Sequence, residues 1–110
     1  MDTYTFKLNR NMTAVDLING YLGTLVEQED EIQEKTTIEF MKLAGKEQAC
    51  EQLLTWLRDD LDADPVDICY MLKADMDSEC ENVLYLGLIE PSIIFKASSE
   101  ACEEILYLLL

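Results

Sequence analysis

Apolar residues recur every three to four positions over most of this chain, and that spacing constrains its fold more than any other feature. Ala49, Leu53, Leu57 and Leu61 step by fours, with Cys50, Leu54 and Trp56 broadening the stripe. Glu47 to Leu61 is therefore predicted as a helix with one buried face. Val15, Ile18, Leu22 and Leu25, flanked by Leu17, Tyr21 and Val26, form a second stripe behind Thr13 as a cap. Gly20 and Gly23 inside it imply either a closely packed neighbour or a bend, since each weakens a helix by about 1 kcal/mol relative to alanine. Asp64 followed by Pro65 opens a third helix, because proline in a first turn forfeits no hydrogen bond; Ile68, Cys69, Leu72 and Met76 are its buried face.

Other stretches carry a different or a mixed period. Thr3 to Asn9 alternates, with Tyr4, Phe6 and Leu8 on one side and Thr5 and Lys7 on the other, the pattern of a half-buried strand. Glu27 to Glu34 holds five acids and one large apolar residue, and reads as a solvated helix end or a loop. Thr37 to Ala44 fits either a helix or a short strand, ended by Gly45 in both cases. Ser78 and Glu81 have the spacing of a capping box ahead of Val83, Leu84, Leu86 and Leu88, which predicts a short helix up to Glu90-Pro91, with a strand as the alternative. Ser92 to Ala97 is rich in β-formers and is positioned to pair with the first strand, after which Ser98 or Ser99 caps a last helix through Ala101, Cys102, Ile105, Leu106 and Leu109. The fold expected is a single domain over residues 1–110, mainly α, with five or six helices and a minor two-stranded β element; an α+β architecture is the alternative.

The charge restricts function. Eight Lys and Arg stand against 23 Asp and Glu with no histidine, a formal charge of −15. Without histidine there is no Ser-His or Cys-His pair, no His-ligated zinc and no imidazole base. Direct nucleic-acid binding is disfavoured as well, because polyanions gain affinity by releasing counterions to Lys and Arg. At 49 % apolar residues the chain is rich enough to bury a core, unlike disordered acidic chains. No run approaches the ~20 apolar residues of a membrane span, and Met1-Asp2-Thr3 does not begin a signal peptide. A cytoplasmic protein without membrane contact is expected. Cys50, Cys69 and Cys102 fall on apolar helical faces and Cys80 matches no metal spacing, so reduced core thiols are the expectation.

Local motifs for chemistry are weak. Asp60-Leu-Asp62-Ala-Asp64 reproduces the first ligands of an EF-hand loop, but Pro65 stands where the loop needs glycine and Met71 where it needs a bidentate glutamate. Asp75-Met-Asp77-Ser-Glu79 repeats the start with Cys80 and Leu86 at those places. Caps and solvated acids account better for both, and no metal or cofactor is expected. Acid-base work needs a carboxyl whose pKa burial raises, and only Asp16 and Glu39 are placed where an apolar stripe could supply that, though both positions fit solvent equally well. The four glycines form no phosphate-cradling loop and no nucleophile elbow, so an enzyme is not expected.

The acids themselves are clustered: Glu27, Glu29, Asp30, Glu31 and Glu34; Asp59, Asp60, Asp62, Asp64 and Asp67; Asp75, Asp77, Glu79 and Glu81; and Glu100, Glu103 and Glu104. Each cluster falls at a predicted helix end or connection. Gathered on one side, such carboxylates would be spaced like the phosphates of a nucleic-acid strand and would fit the basic surface of a nucleic-acid-binding protein. Asp59, Asp60 and Asp62 stand at a helix C-terminus, where the macrodipole opposes them, which argues for recognition. In size and charge the chain resembles the small acidic inhibitors, anti-CRISPR and antirestriction proteins among them, that phages and mobile elements direct at host nucleic-acid-binding proteins. The resemblance implies an inhibitor or decoy and assigns no residue. The other reading is a non-enzymatic adaptor, immunity-type or phage-assembly chaperone. It would dock through the apolar C-terminal helix at Ile105, Leu106 and Leu109, a face that a homodimer would also cover.

Overall fold

A computed structural model describes residues 3–32, 37–60 and 62–110, residues 3–11 by their backbone alone. Among these residues the chain forms four helices and no strand: α1 (Thr3–Glu31), α2 (Ile38–Asp59), α3 (Pro65–Tyr85) and α4 (Ile89–Leu109). The mainly α class holds; the fifth and sixth helices and the β element do not.

The differences share a physical cause. Thr3 to Asn9 is the start of α1, with Thr13 inside the helix, and Ser92 to Ala97 lies within the first three turns of α4. A strand of six or seven residues must find a hydrogen-bonding neighbour, and both segments adjoin a long helix with no breaker between, so extending an existing helix satisfies the backbone at once. Ser78 and Glu81 match a capping box by spacing only, since α3 runs through them. Thr37 to Ala44 resolves as helix, with Thr37 as the N-cap accepting from the Phe40 amide at 3.2 Å. Asp64 caps α3 as expected, accepting from Val66 N at 2.9 Å ahead of Pro65.

α4 is the centre of the molecule, packed most extensively on α3 and α2, while α1 rests chiefly on α2. Its buried face is built from small residues, Ala97, Ser98, Ser99, Ala101 and Cys102, followed by Ile105 and Leu106. Small side chains let a second helix come close, and Gly45 is where it does. Gly45 lies inside α2, not at its end: a Cβ there would stand 2.4 Å from the Ile94 carbonyl oxygen and 3.1 Å from Ala97 Cβ. The Ser98 hydroxyl, predicted as a cap, is instead buried and bridges to the Gly45 carbonyl at 2.7 Å and the Ile94 carbonyl at 3.1 Å. A buried hydroxyl is tolerated because it is paired. Gly20 and Gly23 meet no neighbour within 4 Å, so close packing does not explain them.

The core joins Ile18 and Leu25 of α1, Leu53 and Leu57 of α2, Ile68 and Leu72 of α3, and Ile105 of α4. Leu61, predicted in the α2 stripe, lies outside the described residues. Cys50, Cys69 and Cys102 are buried and unbonded; burial pushes their thiols up to about 12, 11 and 12. The radius of gyration is 15.0 Å and the longest extent 51 Å. That exceeds the ~13 Å of a compact domain of about 100 residues, as a body carrying a helix of ~43 Å should.

Candidate functional site

Two acidic clusters occupy helix ends and two do not. Glu27, Glu29, Asp30 and Glu31 form the last turns of α1; Glu34 lies outside the described residues. Asp59 ends α2, Asp60 caps it, Asp62 is in the turn, and Asp64 and Asp67 start α3. Asp75, Asp77, Glu79 and Glu81 belong to the body of α3, and Glu100, Glu103 and Glu104 to the body of α4, contrary to their expected place at helix connections. A calcium loop at Asp75 is thereby ruled out by continuous helix.

The first two clusters are at opposite ends of α2. Glu31 shares a groove of about 570 Å³ with Glu39 and Lys42 in the first turns of α2. Twenty residues of helix separate Glu39 from Asp59, ~30 Å at 1.5 Å per residue, several times the screening length at physiological salt. They act as separate patches.

Several acids are committed to holding the fold. Asp77 accepts from the Ser99 hydroxyl at 2.5 Å, which joins α3 to α4, and pairs with Lys73 of its own helix at 3.0 Å, while Lys73 also donates to the Ser99 hydroxyl at 3.1 Å. The Ser99 hydrogen bond, with Lys73 beside it, holds the Asp77 carboxyl below its usual range. Glu104 receives the Tyr21 hydroxyl and Lys46, the latter at 3.0 Å, tying α1 and α2 to α4. Burial pushes the Glu104 carboxyl up, but these two donors outweigh it and leave the pKa lowered. Burial, reinforced by Glu104, raises the Tyr21 phenol.

Glu47 is the titratable group that the sequence reading overlooked; Asp16 and Glu39 are both exposed. Glu47 is half-buried where α1 crosses α2, and its Oε1 is buried without a hydrogen-bond partner. Burial, a hydrogen bond shared with Glu29, and the charges of Glu29, Glu51 and Asp30 push its pKa up to about 7. The signal was present: Leu43, Glu47 and Cys50 follow a helical stripe, with Leu43 and Cys50 buried.

At the other end of α2, the elbow into α3 (residues 59–60 and 62–67) borders a groove of about 400 Å³. Trp56, Ala63, Ile68 and Met71 supply its apolar lining, and Asp59, Asp60, Asp64 and Asp67 its rim. Asp60 accepts the Asp62 amide at 3.0 Å, and its own amide donates to the Trp56 carbonyl, also at 3.0 Å. Asp60 and Asp64 thus have structural uses, and Asp67 suits the positive end of α3. Asp59 and the turn residue Asp62 are the acids of this cluster whose carboxylates the helix ends do not account for.

Ile105 and Leu106 are buried in the chain's own core and Leu109 is half-buried against it, so they do not form the exposed docking face considered from sequence. The exposed apolar residues there are Tyr107, Leu108 and Leu110. Among the described residues, no helix is long and apolar enough to cross a membrane, and no three Cys, Asp or Glu are gathered to hold a metal ion.

No protein-family model, curated protein or solved structure matches this chain.

Proposed function

We propose that this protein is an acidic binding module that acts as an inhibitor or decoy, occupying the basic, nucleic-acid-binding surface of another protein. The observation that carries the proposal is the α2–α3 elbow, where five aspartates fall within nine residues and four of them rim an apolar groove. Arg58 reaches Asp59 at 3.6 Å, but both side chains are largely exposed, and such a pair contributes little. Lys46 is paired with Glu104 and Lys73 with Asp77, neither of them an aspartate of the elbow. A carboxylate surface of this density attracts cationic partners, speeds encounter and makes association sensitive to salt. The split between the two ends of α2 narrows the idea: one patch is the contact surface, not a continuous copy of a duplex backbone.

Immobilised protein exposed to nuclease-treated cell extract should retain basic nucleic-acid-binding proteins. Raising NaCl from about 0.1 to 0.5 M should release them, as should added duplex DNA. Retention indifferent to both salt and DNA would overturn the proposal.

A further inference from the structure

We infer that the groove at the α2–α3 elbow is the seat of a single arginine side chain presented by the partner. The inference rests on the binding-module reading and names the chemistry of its contact. An array built only to imitate phosphates needs no apolar floor, yet Trp56 and Met71 line this groove, and Met71 is 60 % exposed. Leaving such surface in water is unfavourable unless something covers it.

The occupant must be apolar along its stem and cationic at its head. Arginine and lysine both fit that outline, but a guanidinium is planar, weakly hydrated and stacks on an aromatic ring, whereas an ammonium is compact and strongly hydrated. The rim supplies acceptors already held in place. Asp60 is fixed by accepting the Asp62 amide through Oδ1, and Asp64 by capping α3 through its own Oδ1. Asp59 and Asp67 are exposed beside them. Fixed carboxylates flanking an apolar slot match the fork of a guanidinium, which carries five donors and no acceptor. A second copy of this chain is a poor occupant, since it would set aspartates against aspartates on two bodies of charge −15.

Trp56 is the sole tryptophan, so its fluorescence reports this groove alone. The full chain is titrated at low salt with a nine-residue arginine peptide and with a lysine peptide of equal length. The expected result is a saturable change in Trp56 emission with arginine and weaker binding of lysine. Asp59→Asn combined with Asp67→Asn should weaken arginine binding about tenfold, the loss of one charge-assisted hydrogen bond. Glu27→Gln with Glu31→Gln removes the same charge at the far end of α2 and should change it by less than about twofold. Met71→Ser, which alters no charge, should weaken it by about threefold through the lost apolar contact. Circular dichroism checks each fold; if the double elbow variant unfolds, Asp59→Asn alone carries the comparison.

Equal losses from the two charge-matched pairs, or binding by calorimetry with Trp56 emission unmoved, would show that the peptide senses only the overall field. The arginine seat would then be overturned while the acidic-module reading stood. Failure of both peptides to bind at low salt would remove both.

Discussion

The two ends of α3 reverse the chain by different chemistry and present opposite surfaces. At its N-terminal elbow, aspartate side chains reinforce a backbone bond from the Ala63 amide to the Asp60 carbonyl at 3.2 Å: Asp60 accepts the Asp62 amide and Asp64 the Val66 amide. At its C-terminal elbow, the backbone alone makes the turn. Gly87 adopts φ +79°, its amide donates to the Leu84 carbonyl at 3.0 Å, and the Leu88 amide donates to the Val83 carbonyl at 2.8 Å. Those paired bonds are a Schellman motif. No side chain is needed there, and every residue from Leu84 to Glu90 is exposed, with Tyr85 at 92 %. What faces solvent differs accordingly: carboxylates at one elbow, large apolar groups at the other.

Both elbows depend on α4 holding its neighbours, so the largest expected effect comes from the contact that seats it. Gly45→Ala places a methyl against the Ile94 backbone, where nothing flexible can give way. A loss of about 3 kcal/mol in a urea titration is expected, the upper part of the overpacking range, with both ends of α3 loosened together. Next comes Gly87→Ala. A Cβ there meets nothing within 4 Å, so the loss of about 1–2 kcal/mol reflects the left-handed backbone alone. Hydrogen exchange should quicken at Val83 to Leu88 first and leave the acidic elbow protected. Asp64→Ala is the reciprocal change, costing about 1 kcal/mol by loss of the cap, with faster exchange confined to the first turn of α3.

A smaller effect separates both elbows from the place where α1 crosses α2. The Glu47 carboxyl has its pKa raised from an ordinary 4.5 to about 7, so the folded state favours its protonated form. Its contribution is fully present below pH 4.5 and is lost as pH rises through 7. Thermal melts from pH 5 to 8 should show a modest decline in stability, and Glu47→Gln should flatten it. Asp77 and Glu104 act in the opposite sense: their lowered pKa values stabilise the fold at neutral pH, and that support is lost on acidification. An unchanged slope in Glu47→Gln would locate the pH dependence elsewhere.

Much of the acidic elbow was legible in the chain. Asp64-Pro65 announces a helix start because a carboxylate acceptor and a missing amide both suit a first turn, and the stripe Ala49, Leu53, Leu57 announces the helix before it. The groove was not legible. Trp56 and Met71 are 15 positions apart and meet only because α2 and α3 fold about the turn. The apolar elbow was misread as well. Val83, Leu84, Leu86 and Leu88 were expected to form a short helix of their own or a strand, whereas α3 continues to Tyr85 and the chain then turns at Gly87.

From sequence alone come the helical period, the cap at Asp64, the surplus of carboxylate and the poverty of catalytic side chains, because each is set by a residue's own chemistry or by neighbours a few positions away. Tertiary structure decided that Ser92 to Ala97 is helix, that Gly45 is an approach point and not an end, that Ser98 and Ser99 are interior, and that Glu47 shares its surroundings with Glu29. Those outcomes turn on which helix comes to lie across which face. That depends on contacts between residues far apart in the chain, which no local pattern records.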